Sequence, residues 1–317
     1  MTLWWGPMLT FLLLLAGCSG CYEVPTDGDN ADPLPNHAGE GDSGHDSAID
    51  SGPPAMCELV EVEPNTLATP QELPMETQAC GHFDQAGDQD WFAFELAEEG
   101  WVRLSLDAAS RGSSADVQMQ VAFTEADESV LLYDSYLTAD VELVFPASQV
   151  GHFLAGATET TRLGGPGYSW FMMASVTKPP VDWQMEEIED NDALDVATVL
   201  PMDTTVFGTI SKPANGVPDE DWYHIQTPAD AQYIDFTVEA FTAGSAADIT
   251  LQLWDPDGSL LFTDAYGEID YDLDPFHETK VTVAHDWYLS VTNFNAAQGS
   301  IFHWYTLTVS PIYGAED

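Results

Sequence analysis

From residue 57 onward, apolar and polar residues alternate in short runs that Gly, Pro, Asn and Asp separate. A period of two is typical of β-strands with one buried face, and no long run has the spacing of an amphipathic helix. The pattern predicts strands at residues 91–96, 101–106, 117–123 and 169–176, and at residues 222–226, 233–240, 249–254, 287–292 and 304–309. Residues 255–258 have the composition of a hairpin turn. The chain is therefore predicted to be all-β.

The pattern occurs twice along the chain. The first acidic motif, Glu61-Val62-Glu63-Pro64-Asn65 with Asp88-Gln89-Asp90-Trp91, returns as the second acidic motif, Glu187-Ile188-Glu189-Asp190-Asn191 with Asp219-Glu220-Asp221-Trp222. Residues 115–121 match residues 247–253, and Trp170-Phe171 matches Trp304-Tyr305. A repeat of this length predicts two domains of one topology, at residues 57–178 and 183–313, joined by the proline-containing residues 178–182. About eight strands in each favour a β-sandwich.

The acidic motifs place a polar side chain at every second position. Because side chains of an extended segment alternate between faces, Glu61, Glu63 and Asn65 can point the same way. Carboxylates held so close repel one another, and a hard cation that takes six to eight oxygen ligands neutralises them well. We interpret each motif as a calcium site. The alternative is that these acids only solvate a loop or cap strand ends.

Composition narrows the function further. The chain has 317 residues, of which 44% are hydrophobic and 11% aromatic, enough to fill two cores. Against 6 Lys and Arg stand 54 Asp and Glu, for a net charge of -48. Such a surface repels nucleic acid and anionic lipid, so nucleic-acid binding is excluded. A saline habitat and calcium binding are equally good explanations for the excess of acidic residues.

The first residues predict export. Residues 1–17 carry no charged side chain and include an apolar run too short to span a bilayer, which is typical of a signal segment. Leu15-Ala16-Gly17-Cys18 resembles the lipobox of bacterial lipoproteins, which implies acylation of Cys18 and attachment to the envelope through lipid alone, with the outer membrane or cell surface as the expected location. The alternative is an ordinary secretory signal. Residues 18–56 are rich in Pro, Gly, Ser and Asp and predict a disordered acidic stalk.

Three further cysteines follow Cys18. Export implies an oxidising compartment, and Cys57 and Cys80 flank part of the first acidic motif. A disulfide between them is expected to tie this segment to its neighbour. The second repeat has Trp183 and Phe207 at the corresponding positions. Cys21 lies beside the predicted anchor and is expected to stay free.

Several motifs together resemble the bacterial pre-peptidase C-terminal domain, a jelly-roll-like sandwich found beside the catalytic domains of secreted peptidases. In the second repeat they are Glu187 to Asp192, Gly208-Thr209-Ile210, Asp219 to Tyr223 and Tyr305 to Val309. In the first repeat they are Glu61 to Asn65, Gly81-His82-Phe83, Asp88 to Phe92 and Phe171-Met172-Met173. The resemblance implies two tandem jelly-roll-like β-sandwich domains.

The resemblance also implies a set of calcium ligands. Carried over by position, they are Glu61, Glu63, Asn65, Asp88 and Asp90 in the first repeat and Glu187, Glu189, Asn191, Asp192, Asp219 and Asp221 in the second. Thr66 stands where the second repeat has Asp192. With one carboxylate fewer, the first site is expected to bind calcium more weakly.

The sequence points away from catalysis. The family's domain accompanies a peptidase, but this chain has no His-Glu-x-x-His motif for zinc. We therefore predict a non-enzymatic, lipid-anchored cell-surface protein that binds or adheres to an extracellular protein or polysaccharide. The alternatives are an accessory subunit of a separately encoded secreted peptidase, a hydrolase with an unrecognised carboxylate site, and an envelope spacer. Packing is the expected role of the strand tryptophans, and the loop residues Tyr266, Tyr271, Phe276 and His277 are the better ligand candidates.

Overall fold

The computed structural model describes residues 57–126, 128–133, 140–147, 150–213, 216–265, 274–281 and 285–314. The predicted signal segment, the lipid anchor at Cys18, Cys21 and the stalk lie outside these residues. Within them, no helix has the length and apolar character needed to cross a membrane.

Twenty strands make up most of the described chain. In the first repeat they are β1 (Leu59–Val60), β2 (Gln71–Glu72), β3 (Gln78–His82), β4 (Gln89–Leu96), β5 (Gly100–Asp107), β6 (Val117–Phe123), β7 (Glu128–Tyr133), β8 (Val141–Ala147), β9 (Gly151–Glu159) and β10 (Ser169–Thr177). In the second they are β11 (Met185–Glu186), β12 (Thr198–Val199), β13 (Thr204–Thr209), β14 (Asp221–Gln226), β15 (Ala231–Glu239), β16 (Ile249–Trp254), β17 (Leu260–Ala265), β18 (Phe276–Lys280), β19 (Asp286–Asn293) and β20 (Trp304–Tyr313). Three short 3-10 helices occupy Ala109–Arg111, Leu194–Val196 and Phe241–Ala243.

The strands form four five-stranded sheets, two in each repeat. The first sandwich has the orders β1-β3-β10-β5-β8 and β2-β4-β9-β6-β7, and the second has β11-β13-β20-β15-β18 and β12-β14-β19-β16-β17. These orders correspond strand for strand. In each sheet the two-residue edge strand pairs in parallel, and the other pairs are antiparallel. The predicted all-β fold with two sandwiches is confirmed.

Each core is built by alternation. In β5, Val102, Leu104 and Leu106 are fully buried while the residues between them are not. Their counterparts in β15 are also buried. Because the side-chain period of a strand is two, these residues form the inner face of one sheet and pack against the inner face of the other.

One predicted match between the repeats is displaced by a residue. Trp170 lies opposite Gly81, and Tyr305 lies opposite the equivalent Gly208. Trp170 therefore corresponds to Tyr305, and the sequence match of Trp170 with Trp304 is wrong. A one-residue slip reverses the face of every side chain, so the correction decides which aromatic ring points inward.

The two sandwiches contact each other through aromatic side chains. The ring of Trp101 lies 5.8 Å from Trp183, 5.7 Å from Phe207 and 5.1 Å from Trp304. Nε1 of Trp304 donates a 2.7 Å hydrogen bond to the carbonyl of Val144 in the first sandwich. The joint at residues 178–182 is therefore not the only connection between the sandwiches.

Candidate metal centres

The first acidic motif forms a cluster of carboxylates, the first centre. Glu61, Glu63 and Asp90 each offer an oxygen, and these oxygens lie within 4.8 Å of one another. The two glutamates follow the end of β1, and the aspartate lies in β4. Residues 61–65 form an irregular segment rather than a continuous strand. The side chains of Glu61 and Glu63 nevertheless converge with that of Asp90 at the start of β4.

The second acidic motif forms a larger cluster, the second centre. Glu187, Glu189 and Asp221 offer oxygens within 4.8 Å of one another, as in the first centre. Glu189 also belongs to an overlapping group with Asp192 and Asp219. In the first repeat, Thr66 stands at the position of Asp192. The hydroxyl of Thr66 lies 3.0 Å from the hydroxyl of Thr69.

A buried aspartate lies at the bottom of each centre. Asp90 and Asp221 are both 0% exposed. Nε1 of Trp170 donates a 2.7 Å hydrogen bond to Oδ2 of Asp90, and the hydroxyl of Tyr305 donates a 2.8 Å bond to Oδ2 of Asp221. The Oδ1 atom of each aspartate has no hydrogen-bond partner among the described residues.

Each centre also contains a buried asparagine. Nδ2 of Asn65 donates to Oε1 of Glu61 at 3.2 Å, and Nδ2 of Asn191 donates to Oε1 of Glu187 at 3.1 Å. The asparagines are 2% and 1% exposed, and neither Oδ1 atom has a partner within the described chain. Each centre thus holds two buried oxygens, one from a carboxyl group and one from an amide, that accept no hydrogen bond within the described chain.

The backbone fixes the second oxygen of each inner glutamate. The amide of His82 donates to Oε2 of Glu61, and the amide of Thr209 donates to Oε2 of Glu187, both at 3.1 Å. These amides follow Gly81 and Gly208. A Cβ atom on Gly81 would lie 2.0 Å from Oε2 of Glu61, and one on Gly208 would lie 2.4 Å from Cζ of Tyr305. Glycine is therefore needed for the close approach of the glutamate and the aromatic donor.

The outer aspartates differ between the centres. Asp88 accepts a 2.7 Å hydrogen bond from the amide of Asp84 and is not among the three clustered carboxylates of the first centre. Asp219 accepts a hydrogen bond from the amide of Ser211 and also lies in the second cluster. Asp88 thus mainly holds its own loop, whereas Asp219 holds a loop and faces the other acids.

Crowding and burial raise the pKa of carboxyl groups in both centres. Burial, together with the adjacent glutamate, raises the pKa of Asp90 and of Asp221 well above the usual range. Burial and the charge of Glu187 raise the pKa of Glu189 to about 7. Burial and the same charge also raise the pKa of Asp219, to about 6. A positive charge placed among them would favour the ionised carboxylates and lower each of these pKa values.

The first centre is held to its neighbouring strand by a disulfide. Cys57 and Cys80 are bonded, with their Cα atoms 5.8 Å apart. At the corresponding positions of the second sandwich, the rings of Trp183 and Phe207 are stacked at 4.7 Å. The second centre thus has an aromatic contact where the first has a covalent bond.

Two of the predicted loop candidates, Phe276 and His277, are not part of either centre. Tyr266 and Tyr271 lie outside the described residues. Phe276 is exposed, and His277 is stacked on Phe262 with ring centroids 3.5 Å apart. Trp170, Tyr305, Gly81 and Gly208 are recognisable in the sequence as residues of the repeat and of the family motifs, but they were predicted to have no role in the centres. A glycine at the same position of both repeats was a usable signal.

Comparisons with known proteins give weak similarities. No protein-family model and no curated protein matches the chain. Among solved structures, the pre-peptidase C-terminal domain of a collagenase from Bacillus anthracis is 20% identical, with a TM-score of 0.26, over 36% of this chain and 94% of that one. Tandem CBM51 modules of a glycoside hydrolase from Streptococcus pneumoniae are 7% identical, with a TM-score of 0.24, over 72% of this chain and 84% of theirs. Similarities at these TM-scores do not bear on the ligand or activity of this chain.

Proposed function

We propose that the chain is a non-enzymatic, lipid-anchored cell-surface protein in which two calcium-stabilised β-sandwiches are displayed to bind an extracellular protein or polysaccharide. Each sandwich, at residues 57–178 and 183–313, is a module of the pre-peptidase C-terminal type. The anchor at Cys18 and the stalk at residues 18–56 place the modules away from the membrane.

The observation that supports metal binding is the set of four buried oxygens without partners. They are Oδ1 of Asn65, Asp90, Asn191 and Asp221. Leaving a buried acceptor unpaired costs roughly 1–3 kcal/mol. Both oxygens of each pair lie beside carboxylates that repel one another, so one cation would satisfy the acceptors and neutralise the repulsion together.

The ligand chemistry favours calcium. The clustered groups are carboxylates, and the amides of Asn65 and Asn191 contact them. Among the described residues, no His or Cys belongs to either cluster. Zinc prefers nitrogen and sulfur ligands, whereas magnesium demands octahedral geometry and retains several waters. Calcium accepts six to eight oxygens in irregular arrangements, which suits a loop and a strand that contribute side chains of unequal length.

Burial argues against the alternative of a carboxylate hydrolase. General acid–base catalysis needs a carboxyl group within hydrogen-bond reach of the substrate. Asp90 and Asp221 are closed off from solvent and already accept a hydrogen bond from an aromatic side chain. Their raised pKa values follow from burial and crowding alone, without a catalytic role.

Thermal unfolding and ligand capture test this proposal together. The purified full chain is melted in calcium, in magnesium and in chelator, and we expect calcium to raise the unfolding temperature most. The calcium-loaded chain is then applied to immobilised matrix proteins, polysaccharides and secreted peptidases. Retention by a peptidase alone would favour the accessory-subunit alternative, and identical melts in calcium and chelator would contradict the metal.

A further inference from the structure

The outer face of the sheet β12-β14-β19-β16-β17 carries a group of aromatic and hydrogen-bonding side chains. Cross-strand partners share a face, and the register places His224 and Trp254 opposite Tyr288, and Trp222 and Gln252 opposite Ser290. We call this group the aromatic platform: Trp222, His224, Gln252, Trp254, Tyr288 and Ser290. The residues between them in each strand point into the core.

Contacts within the platform hold its rings in place. The rings of Trp222 and Trp254 lie 5.4 Å apart, and those of His224 and Tyr288 are stacked at 4.9 Å. Nε1 of Trp254 donates a 3.2 Å hydrogen bond to Oγ of Ser290, which donates to Oε1 of Gln252 at 3.3 Å. A binding surface whose rings are already ordered loses little conformational entropy when a ligand arrives.

Two nitrogen atoms of the platform keep unused hydrogen-bonding capacity. Trp222 is 8% exposed, and its Nε1 has no partner among the described residues. Nε2 of His224 lies 3.6 Å from Oδ1 of Asp286, which is too far for a hydrogen bond. Buried polar atoms normally have partners, so these two nitrogens point to a polar ligand or ordered water at this face.

The first sandwich provides an internal comparison, because its matching sheet has the same strand order. By register, His224, Trp254, Tyr288 and Ser290 correspond to Ala93, Ala122, Leu154 and Gly156. A Cβ atom on Gly156 would lie 2.9 Å from the ring of Trp91, which therefore rests directly on the sheet. The fold thus forms without an aromatic platform, and the extra rings of the second sandwich need another explanation.

The chemistry of the platform selects a neutral ligand. None of its six side chains is a carboxylate, and Asp286 is the acid beside it. A polyanion would be repelled by the net charge of -48, and a polycation would be attracted to acidic surface everywhere rather than to this face. Aromatic faces pack against the C–H faces of sugar rings, while imidazole, amide and hydroxyl groups pair with sugar hydroxyls.

We propose that the aromatic platform of the second sandwich binds a neutral polysaccharide, with Trp254 and Tyr288 as the stacking residues. This inference rests on the proposed binding function and narrows its ligand. The platform also adjoins the second centre, because Trp222 follows Asp221 directly and its amide donates a 3.1 Å hydrogen bond to the carbonyl of Asn191. An ordered second centre thus fixes one end of the platform.

Binding of the full chain to defined polysaccharides tests the inference. The probes are neutral β-glucan, mannan, xylan and galactan, with polygalacturonate and gelatin as the competing classes, all in calcium. We expect at least one neutral polymer to bind, and Trp254→Ala and Tyr288→Ala each to weaken that binding at least tenfold. Trp254→Phe should retain part of it. Leu154→Ala, at the matching position of the first sandwich, should leave it unchanged, and unfolding temperatures show that each variant is folded.

The outcomes separate this inference from the proposed function. Binding of no neutral polymer, or binding that survives both alanine substitutions in folded protein, overturns the platform. If the chain binds only gelatin or polygalacturonate, the platform is also overturned, but the proposed function as a binding module stands. If the chain binds no polysaccharide probe and no immobilised protein, both the platform and the proposed binding function are overturned. Calcium binding is measured on the same samples, and its outcome does not depend on whether any polysaccharide binds.

Discussion

The hydroxyl of Tyr305 donates a 2.8 Å hydrogen bond to one carboxylate oxygen of Asp221, and the other oxygen has no partner among the described residues. The indole of Trp170 holds Asp90 in the same way at 2.7 Å. An indole N–H in the first repeat and a phenol O–H in the second thus donate to the same atom, Oδ2, of the equivalent aspartates. Each donor leaves the Oδ1 atom of its aspartate without a partner among the described residues, so that atom remains available to a metal ion.

Asp221→Asn is predicted to remove the calcium response of the second sandwich. Without calcium, burial and Glu187 already favour the uncharged form of Asp221, and the amide is uncharged as well, so the unfolding temperature should be close to that of the wild type. At calcium a hundredfold above Kd, the wild type gains about 2.7 kcal/mol, and the variant should lose most of this gain. Calorimetry in calcium and in chelator measures both effects. Glu220→Gln removes a neighbouring charge outside both clusters and should behave as the wild type; an equal loss in this control would show that only net charge matters.

The stability of the metal-free chain is predicted to fall as the pH rises. The folded pKa values of Glu189 and Asp219, about 7 and about 6, exceed their ordinary values of 4.5 and 3.8, so the folded form binds protons more tightly. These two carboxyl groups stabilise the folded chain fully when the pH is below their ordinary pKa values. The stabilisation is lost as the pH rises through their folded pKa values. Denaturation in chelator from about pH 4 to about pH 7 should show this decline, and calcium should abolish it. A decline of the same size in calcium would contradict the account.

Gly208→Ala is predicted to destabilise the second sandwich. The added methyl group would lie 2.4 Å from the ring of Tyr305, and the ring could move only by giving up its hydrogen bond to Asp221. We expect a loss of roughly 1–3 kcal/mol, together with weaker calcium binding. Gly100→Ala, which meets no atom within 4 Å, is the control. Chemical denaturation compares the two, and equal stabilities would count against the packing described here.

Reduction of the Cys57–Cys80 disulfide is predicted to destabilise the first sandwich selectively. The bond spans 23 residues, for which loss of the cross-link costs roughly 3 kcal/mol. The second sandwich should be less affected, because Trp183 and Phe207 replace the bond with a stacked contact. Hydrogen exchange with and without reductant distinguishes the two sandwiches. Equal loss of protection in both would mean that their aromatic contact makes them unfold as one unit.

Much of the fold could be predicted because buried residues recur at every second position in strands such as β5, β6 and β15. The predicted strands correspond to β4, β5, β6, β10, β14, β15, β16, β19 and β20. Strand β8 was missed because Leu143, Val144 and Phe145 are all buried, which obscures the period of two. Val144 is buried because its backbone forms hydrogen bonds with Gly244 and Trp304 of the second sandwich. Such a tertiary contact cannot be predicted from the local sequence pattern.

The carboxylates of both centres could be predicted, since they are close in sequence and repeated. Their aromatic donors could not, because Trp170 lies 80 residues from Asp90 and Tyr305 lies 84 residues from Asp221. The adjacent pairs Trp170-Phe171 and Trp304-Tyr305 also look alike in sequence, so only the register against Gly81 and Gly208 shows which ring faces the centre. The assignment of Asp88 as a ligand stays a prediction.

Calorimetric titration of the full chain with calcium tests the central claim most directly. The account predicts saturable binding that Asp90→Asn and Asp221→Asn each reduce and that the double variant loses, with the second centre the tighter of the two. Absence of saturable binding at neutral pH, or binding that the folded double variant retains, would contradict it.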